Sequence, residues 1–325
     1  MANTPGNHPP PSAHKLRPIF IAGPTAVGKS EIALSLAEQL GGEIISADSM
    51  QVYRGLDLGT AKPSSADRAR VPHHLIDILD LNESFDAAQF VRRAQQTVAE
   101  IQVRSRVPVF CGGTGLYFKA YLEGLGEAPP ADAKVRTELE AMPLENLQAE
   151  LCERDPVAYE KIDRKNPRRV VRALEVIRLT GKPFSVQRAE WKSESRIRNP
   201  ESWFFCLTRS SSDLHARINA RVNAMFQRGL VAEARELLQH GLMENKTAMQ
   251  AIGYRQVVEH LRGERSLPET IELVKVRTRQ FAKRQLTWFR AQKNLEWIEL
   301  KPDAPAGKIA ASLCSNSKVS FPSAV

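Results

Sequence analysis

GPTAVGKS, residues 23–30, has the form G-x-x-x-x-G-K-[ST], a spacing that serves phosphate chemistry. Gly23 and Gly28 let the backbone across Pro24, Thr25, Ala26 and Val27 turn its N–H groups toward phosphate oxygens. Lys29 supplies a point charge, the Ser30 hydroxyl is a ligand for Mg²⁺, and the helix that follows adds its dipole. The spacing does not say whose phosphates are held. A diphosphate leaving group on an organic substrate suits it as well as ATP. Downstream, IISADSMQVYRGLDLGTAKP (44–63) begins apolar and ends in a polar cluster. Its Asp48, Ser49 and Gln51 bring a carboxylate, a hydroxyl and an amide to the same place. Asp48 either binds Mg²⁺ through water or takes a proton as a general base, and spacing does not separate the two. GGTGLYFKAYL (112–122) is a second glycine turn, with Thr114 at the mouth of the same crevice.

These residues need a scaffold, and the pattern around them supplies one. PIFIA (18–22) reads as a buried strand leading into the phosphate loop. KSEIALSLAEQLGG then reads as a helix, with Ile32, Ala33, Leu36, Ala37 and Leu40 at helical spacing and a glycine stop. EIISAD is a second strand, which places Asp48 at a carboxyl end, where parallel sheets bind ligands. HHLIDIL predicts a third strand, FDAAQFVRRAQQTVAEIQVRSR an amphipathic helix, and VPVFCGG another buried strand. The alternation implies an α/β fold: a P-loop NTPase-like parallel sheet with helices on both faces. Beyond residue 121 the chain turns polar, Glu-rich and helical. No convincing strand returns until WFFCLTRS (203–210), which two helices ending at Gly229 and Gly241 follow. The expected organisation is a disordered tail (1–16), a catalytic core (17–124 and 201–300), a helical insertion (125–200) and a C-terminal tail (301–325) with at most one short helix.

The 325-residue chain carries a net charge of +9 and has a pI near 9.5, which favours a polyanionic partner. Two basic segments sharpen this. NPRRVVRALEVI sets Arg168, Arg169 and Arg172 on one helical turn, opposite Val170, Val171 and Leu174. KVRTRQFAKRQLTWFR (275–290) has six cations, no acid, and Phe281, Trp288 and Phe289 among them. Cations without acidic partners suit a phosphate backbone, and interleaved aromatics either stack on unpaired RNA bases or fill a core. The four cysteines make no C-x-x-C pair, so neither a zinc site nor a disulfide framework is indicated. With no membrane-length apolar run and no secretory leader, the expectation is a cytoplasmic protein in a reducing compartment. It is expected to be a monomer.

GPTAVGKS, DSMQVYRGLDLGTAKP, PHHLIDIL, FDAAQF, GGTGLY, NPRRVVRALEV, QAIGYRQ and KRQLTWFR together resemble the bacterial tRNA dimethylallyltransferases, in that family's order and over residues 18–298. The resemblance implies transfer of a dimethylallyl group from dimethylallyl diphosphate to N6 of adenosine 37. That base lies beside the anticodon of tRNAs reading codons that start with U. Carried over by motif, Asp48 is the general base and Thr25 lines the reaction channel. The loop from Gly23 to Ser30 holds the diphosphate and its Mg²⁺, with help from Arg221 in HARINARV. Implied tRNA contacts are Asp48, Ser49, Met50, Gln51, Thr114 and Arg136, with Arg168, Arg169, Val170, Val171 and Arg172. Gln250, Ala251, Ile252, Gly253, Tyr254 and Arg255 follow, then Lys283, Arg284, Gln285, Leu286, Thr287, Trp288, Phe289 and Arg290. The partners implied are the anticodon stem-loop and dimethylallyl diphosphate, with no membrane. Departures are small: Leu58 and Cys111 stand where Ile and Val are frequent. The zinc finger of eukaryotic members is absent. Rival readings are a nucleoside or nucleotide kinase with an arginine lid, an adenylate isopentenyltransferase acting on free nucleotides, and a non-catalytic RNA-binding protein.

Overall fold

The computed structural model describes residues 16–126, 128–187, 203–292 and 295–316. The expected N-terminal tail lies outside them except for Leu16. Six strands form one sheet: β1 (Ile19–Ala22), β2 (Glu43–Ala47), β3 (His73–His74), β4 (Pro108–Gly112), β5 (Trp203–Thr208) and β6 (Glu296–Glu299). Their order is β3-β2-β4-β1-β5-β6, and every adjacent pair is parallel. β1 sits between β4 and β5, with Ile19 level with Val109 and Trp203. All four of its side chains are buried, as covering both faces requires.

Alternation along β1 divides the core in two. Ile19 and Ile21 point to one side, with α1 (Lys29–Leu40) and α10 (Ser211–Gln227). Phe20 and Ala22 point to the other, with α3 (Ala87–Val103), α4 (Gly115–Glu123), α11 (Leu230–Gln239) and α12 (Tyr254–Leu261). The longest helix, α13 (Leu267–Arg290), serves both sides: Val274 and Ala282 join the first cluster and Phe289 the second.

The fold corrects two expectations. HHLIDIL is a strand only at His73–His74. Leu75 and Asp77 turn left-handed, at φ 60 and φ 56, because Asp77 is drawn into an ion-pair knot with Lys62 and Arg68. Its backbone and that of Ile78 and Leu79 pair instead with Gln51 and Val52. Residues 301–325 are not simply a tail: α14 (Ala306–Asn316) packs along α1 and buries Ala310 and Leu313. β6 and the short α2 (Ser65–Arg70), closed by a Ser64–Asp67 capping box, were not foreseen.

Helices α5 (Ala133–Glu140), α6 (Leu144–Arg154), α7 (Pro156–Lys161), α8 (Pro167–Thr180) and α9 (Phe184–Gln187) fill the stretch expected as an insertion. They have their own core, which includes Leu139, Leu147, Leu151, Val170, Val171 and Leu174. At one edge of it, fully buried Glu175 accepts hydrogen bonds from the Asp132 N–H (2.9 Å), Arg136 (2.8 Å) and Arg172 (2.6 Å). Glu175→Ala leaves two guanidinium groups unpaired. Breaking a buried pair costs about 3–5 kcal/mol, and partial exposure of both arginines puts this case near about 3 kcal/mol. Hydrogen exchange should then rise in α5 and α8 while protection of the central sheet is retained. Equal loss in both would mean that the helices do not form a separately stabilised unit.

Candidate active site

The phosphate loop leaves β1 through Gly23 (φ 142), where a Cβ would lie 2.5 Å from the Leu207 carbonyl oxygen, so no larger residue fits. Ala26 (φ 63) and Gly28 (φ 108) complete the turn. Two arginines brace it: Arg209 Nε donates to the Val27 carbonyl (2.8 Å) and Arg217 Nε to that of Ala26 (2.9 Å). The Ala26 and Gly28 N–H groups can then face an anion, while the Thr25 N–H is taken by Gln285 (2.8 Å) and that of Val27 by the Pro24 carbonyl (3.4 Å). Lys29 Nζ donates to the Pro24 carbonyl (2.7 Å). Burial, reinforced by the charge of Arg221, holds the Lys29 ammonium down to about 8. A cavity of about 420 Å³ opens here, lined by Gly28, Lys29, Ser30, Arg217 and Arg221.

Asp48 follows the last residue of β2. Its Oδ1 accepts the N–H groups of Met50 (2.8 Å) and Gln51 (3.3 Å). The carboxylate therefore closes its own turn through one oxygen and keeps a second acceptor oxygen. Ser46 Oγ donates to Gln51 Oε1 (2.9 Å), and Gln51 Nε2 donates to the Thr60 carbonyl (3.2 Å), which fixes the turn from below. Just beyond the neighbouring strand β4, at the start of α4, Thr114 Oγ1 accepts the Ser49 N–H (3.3 Å). Asp48, Thr114, Thr25 and Arg221 line a cavity of about 310 Å³ whose other walls include Met225, Ile252, Val274 and Phe281. Burial lowers the Arg221 pKa, while the charge of Asp48 opposes that shift.

A third cavity, about 700 Å³, lies between the core and the inserted helices. It is lined by Lys161, Arg168, Arg169, Arg172, Arg284 and Trp288, among others. It shares Ser49, Thr114, Phe281 and Arg284 with the Asp48 cavity, which in turn shares Arg221 with the phosphate cavity. The three spaces adjoin in turn: a cavity at the phosphate loop, an apolar chamber holding one carboxylate, and a basic cleft.

The motif-derived RNA contacts divide by helix face. Lys283, Arg284, Thr287 and Arg290 are exposed, and Arg284 lies over the Phe281 ring (5.8 Å). Gln285 and Phe289 point inward, and Leu286 packs against the core. Val170 and Val171 are buried in the inserted helices, while Arg136 is committed to Glu175. Gln250, Ala251 and Ile252 line the Asp48 chamber. Gly253 (φ 107) starts α12, and Arg255 pairs with Glu259. Tyr254 is buried: its hydroxyl donates to Glu233 and accepts the Gly59 N–H (3.1 Å). Arg209, Arg217 and Glu233 escaped the sequence reading because they support backbone, a role with no local spacing signature.

Among the described residues, no three His, Cys, Asp or Glu side chains converge as a metal cage. A magnesium ion held by phosphate oxygens, water and one hydroxyl needs no such cage, and exposed Ser30 at the phosphate cavity is suited to supply that hydroxyl.

A parallel sheet with a phosphate loop after its central strand, and a carboxylate at the end of a nearby strand, defines a P-loop-type α/β enzyme. Residues 51–292 match the model of the IPP transferase family. Similar curated proteins include tRNA dimethylallyltransferase 1 of Trichlorobacter lovleyi, 46% identical over 87% of this chain and 94% of that protein. The tRNA dimethylallyltransferase of Halorhodospira halophila is 49% identical over 84% and 90%. Among solved structures, the tRNA isopentenylpyrophosphate transferase of Bacillus halodurans aligns with a TM-score of 0.66 at 40% identity, covering 94% of this chain and 97% of its own. A eukaryotic dimethylallyltransferase captured acting on tRNA aligns with a TM-score of 0.74 at 26% identity, covering 94% and 81%. The chain belongs to the IPP transferase family.

Proposed function

We propose that this enzyme transfers a dimethylallyl group from dimethylallyl diphosphate to N6 of adenosine 37 in the anticodon loop of tRNAs reading codons that start with U. The observation that carries this reading is the series of cavities, with Asp48 in the apolar chamber between an anion site and a basic cleft. A kinase would need its acceptor on the phosphate side alone.

An exocyclic amine is a weak nucleophile because its lone pair is delocalised into the purine. The free oxygen of Asp48 takes the N6 proton as the N6–C1 bond forms, and the C1–O bond to diphosphate breaks. The departing anion is received by the loop N–H groups, Lys29 and Arg221, donors already aimed where charge develops. Ser30, together with the diphosphate, would hold Mg²⁺, which would supply charge neutralisation for that leaving group. The chamber walls, Met225, Ile252, Val274 and Phe281, keep water from the allylic carbon. The target base leaves its stack to enter, at a cost of a few kcal/mol. The cations of the cleft hold the stem-loop meanwhile. No helix among the described residues is long and apolar enough to cross a membrane.

The test is incubation with Mg²⁺, dimethylallyl diphosphate and an unmodified anticodon stem-loop, with the RNA weighed by mass spectrometry. A gain of one C5H8 unit on the RNA and none on AMP supports the proposal. Gain on AMP alone moves the enzyme to free nucleotides, and gain on neither overturns prenyl transfer. For the cleft, Lys283→Ala with Arg284→Ala should weaken stem-loop binding. The salt slope should become shallower by about 0.7–0.9 per lost phosphate contact. An unchanged slope in a titration from low to physiological salt would remove α13 from the interface.

A further inference from the structure

Gln285 sits on the basic, RNA-facing segment of α13, yet it is buried at 8% exposure and makes both of its bonds to loops of the reaction chamber. Its Oε1 accepts the Thr25 N–H of the phosphate loop (2.8 Å), and its Nε2 donates to the Gly113 carbonyl (2.9 Å). Thr25 and Thr114, next to Gly113, both line the chamber. Gly113 has room for this amide only because it lacks a side chain: a Cβ there would lie 2.3 Å from Gln285 Nε2. On the same helix, Phe281 and Arg284 line both the chamber and the basic cleft, and Trp288 and the edge of Gln285 line the cleft, as does Gly113. One helix thus presents cations outward and a two-ended amide inward.

We propose that Gln285 is a positioning residue that holds the phosphate loop in register with the Gly113–Thr114 turn. Through it, α13 links occupancy of the basic cleft to the geometry of the diphosphate site. Coupling between two sites is reciprocal: a group that lets RNA tighten diphosphate binding also lets diphosphate tighten RNA binding. The amide suits the task because it is donor and acceptor at once, whereas a residue recruited to touch RNA would expose one of those ends. The first part stands on the two hydrogen bonds. The second rests on the RNA-prenylation reading.

The test uses Gln285→Met, which keeps volume and removes both bonds, and Gly113→Ala, which breaks the same contact from the other side. Titration calorimetry of the full-length proteins measures inorganic diphosphate with Mg²⁺, the stem-loop, and each in the presence of the other. In the wild type, each ligand should tighten the other by about fivefold or more. In both variants that factor should fall to about one, with stem-loop affinity alone nearly unchanged. Diphosphate should bind about tenfold more weakly, and kcat should fall by about 10–100-fold without a matching rise in KM for RNA, as a misplaced loop predicts. Loss of stem-loop affinity with diphosphate binding intact would make Gln285 an RNA contact and overturn the proposal. Unchanged diphosphate binding and kcat in both variants would overturn it as well. If Gln285→Met does not fold, Gln285→Glu decides, since it keeps the shape and the acceptor for Thr25 and loses the donor to Gly113. A wild type that binds diphosphate but no stem-loop would defeat the RNA reading and the coupling with it. Diphosphate affinity of the variants would still decide the positioning role.

Discussion

Asp48→Asn should lower the single-turnover rate of prenyl transfer by about 10²–10⁴-fold, the usual contribution of a positioned general base, with stem-loop affinity close to wild type. The choice of Asn follows from geometry. One carboxylate oxygen closes the turn by accepting the N–H groups of Met50 and Gln51. An amide oxygen can do the same, so the turn survives while the proton acceptor is lost. Asp48→Ala removes base and turn together and loosens the segment from Ser49 to Gln51, in which Ser49, on the rim shared by chamber and cleft, keeps its N–H bond to Thr114. The Ala variant should therefore lose some RNA affinity that the Asn variant keeps. If Asn weakened RNA binding as much as Ala, Asp48 would be a binding residue. If raising Mg²⁺ restored the Asn variant, its role would be to hold the metal. A rate loss insensitive to Mg²⁺, with affinity retained, leaves proton transfer as its task.

The parts of this site legible in the sequence are those whose function is local. A phosphate loop is a run of eight residues with fixed chemistry, and Asp48 with its turn is a run of four. Each is complete within one element's end, so spacing alone locates it. The buried strands around them, β1, β2, β4 and β5, were equally plain because burial on both faces leaves an apolar run. What spacing did not reveal was which way neighbouring residues face. A motif such as KRQLTWFR spans two helical turns and must send side chains in all directions. Ala282, Gln285 and Phe289 lie inward, while Lys283, Arg284, Thr287 and Arg290 lie outward. The window therefore holds both core and exposed residues. Val170 and Val171 beside Arg169 show the same effect, as does buried Tyr254 beside Arg255. The other unseen features are pairings across long sequence separations. Glu233 meets Tyr254 and the Leu58 N–H, Gln285 meets Thr25, and Asp77 meets Lys62, which ends β3 early. α14 was easy to underrate because its inward stripe is short, consisting mainly of Ala310 and Leu313.

Gly115→Ala should be among the most damaging single-methyl changes outside the chemistry. GGTG reads in sequence as a flexible turn, but Gly115 has no unusual backbone angle; what it has is a neighbour. A Cβ there would lie 2.2–2.5 Å from Cε3, Cδ2 and Cζ3 of Trp288, well inside any tolerable contact. The indole cannot swing away freely, because it lies edge-on to Phe289 (5.1 Å, 88°), which is itself buried against Phe118. Overpacking of this kind costs about 1–3 kcal/mol. The strain falls where α13 meets the Gly113–Thr114 turn, so the basic cleft and Thr114 should shift together. Thermal unfolding should move down by several degrees, and both RNA affinity and kcat should fall. Gly307 in α14 provides the control: a Cβ there meets only Ser35 Oγ at 3.7 Å. Gly307→Ala should leave activity unchanged and raise stability by about 0.4–1 kcal/mol through the unfolded chain. Adding Trp288→Leu to Gly115→Ala relieves the clash and should recover stability without recovering RNA affinity, because the cleft loses its indole. If the second change recovered neither, the glycine would be required for backbone freedom after all, and the close approach of Trp288 would not explain it.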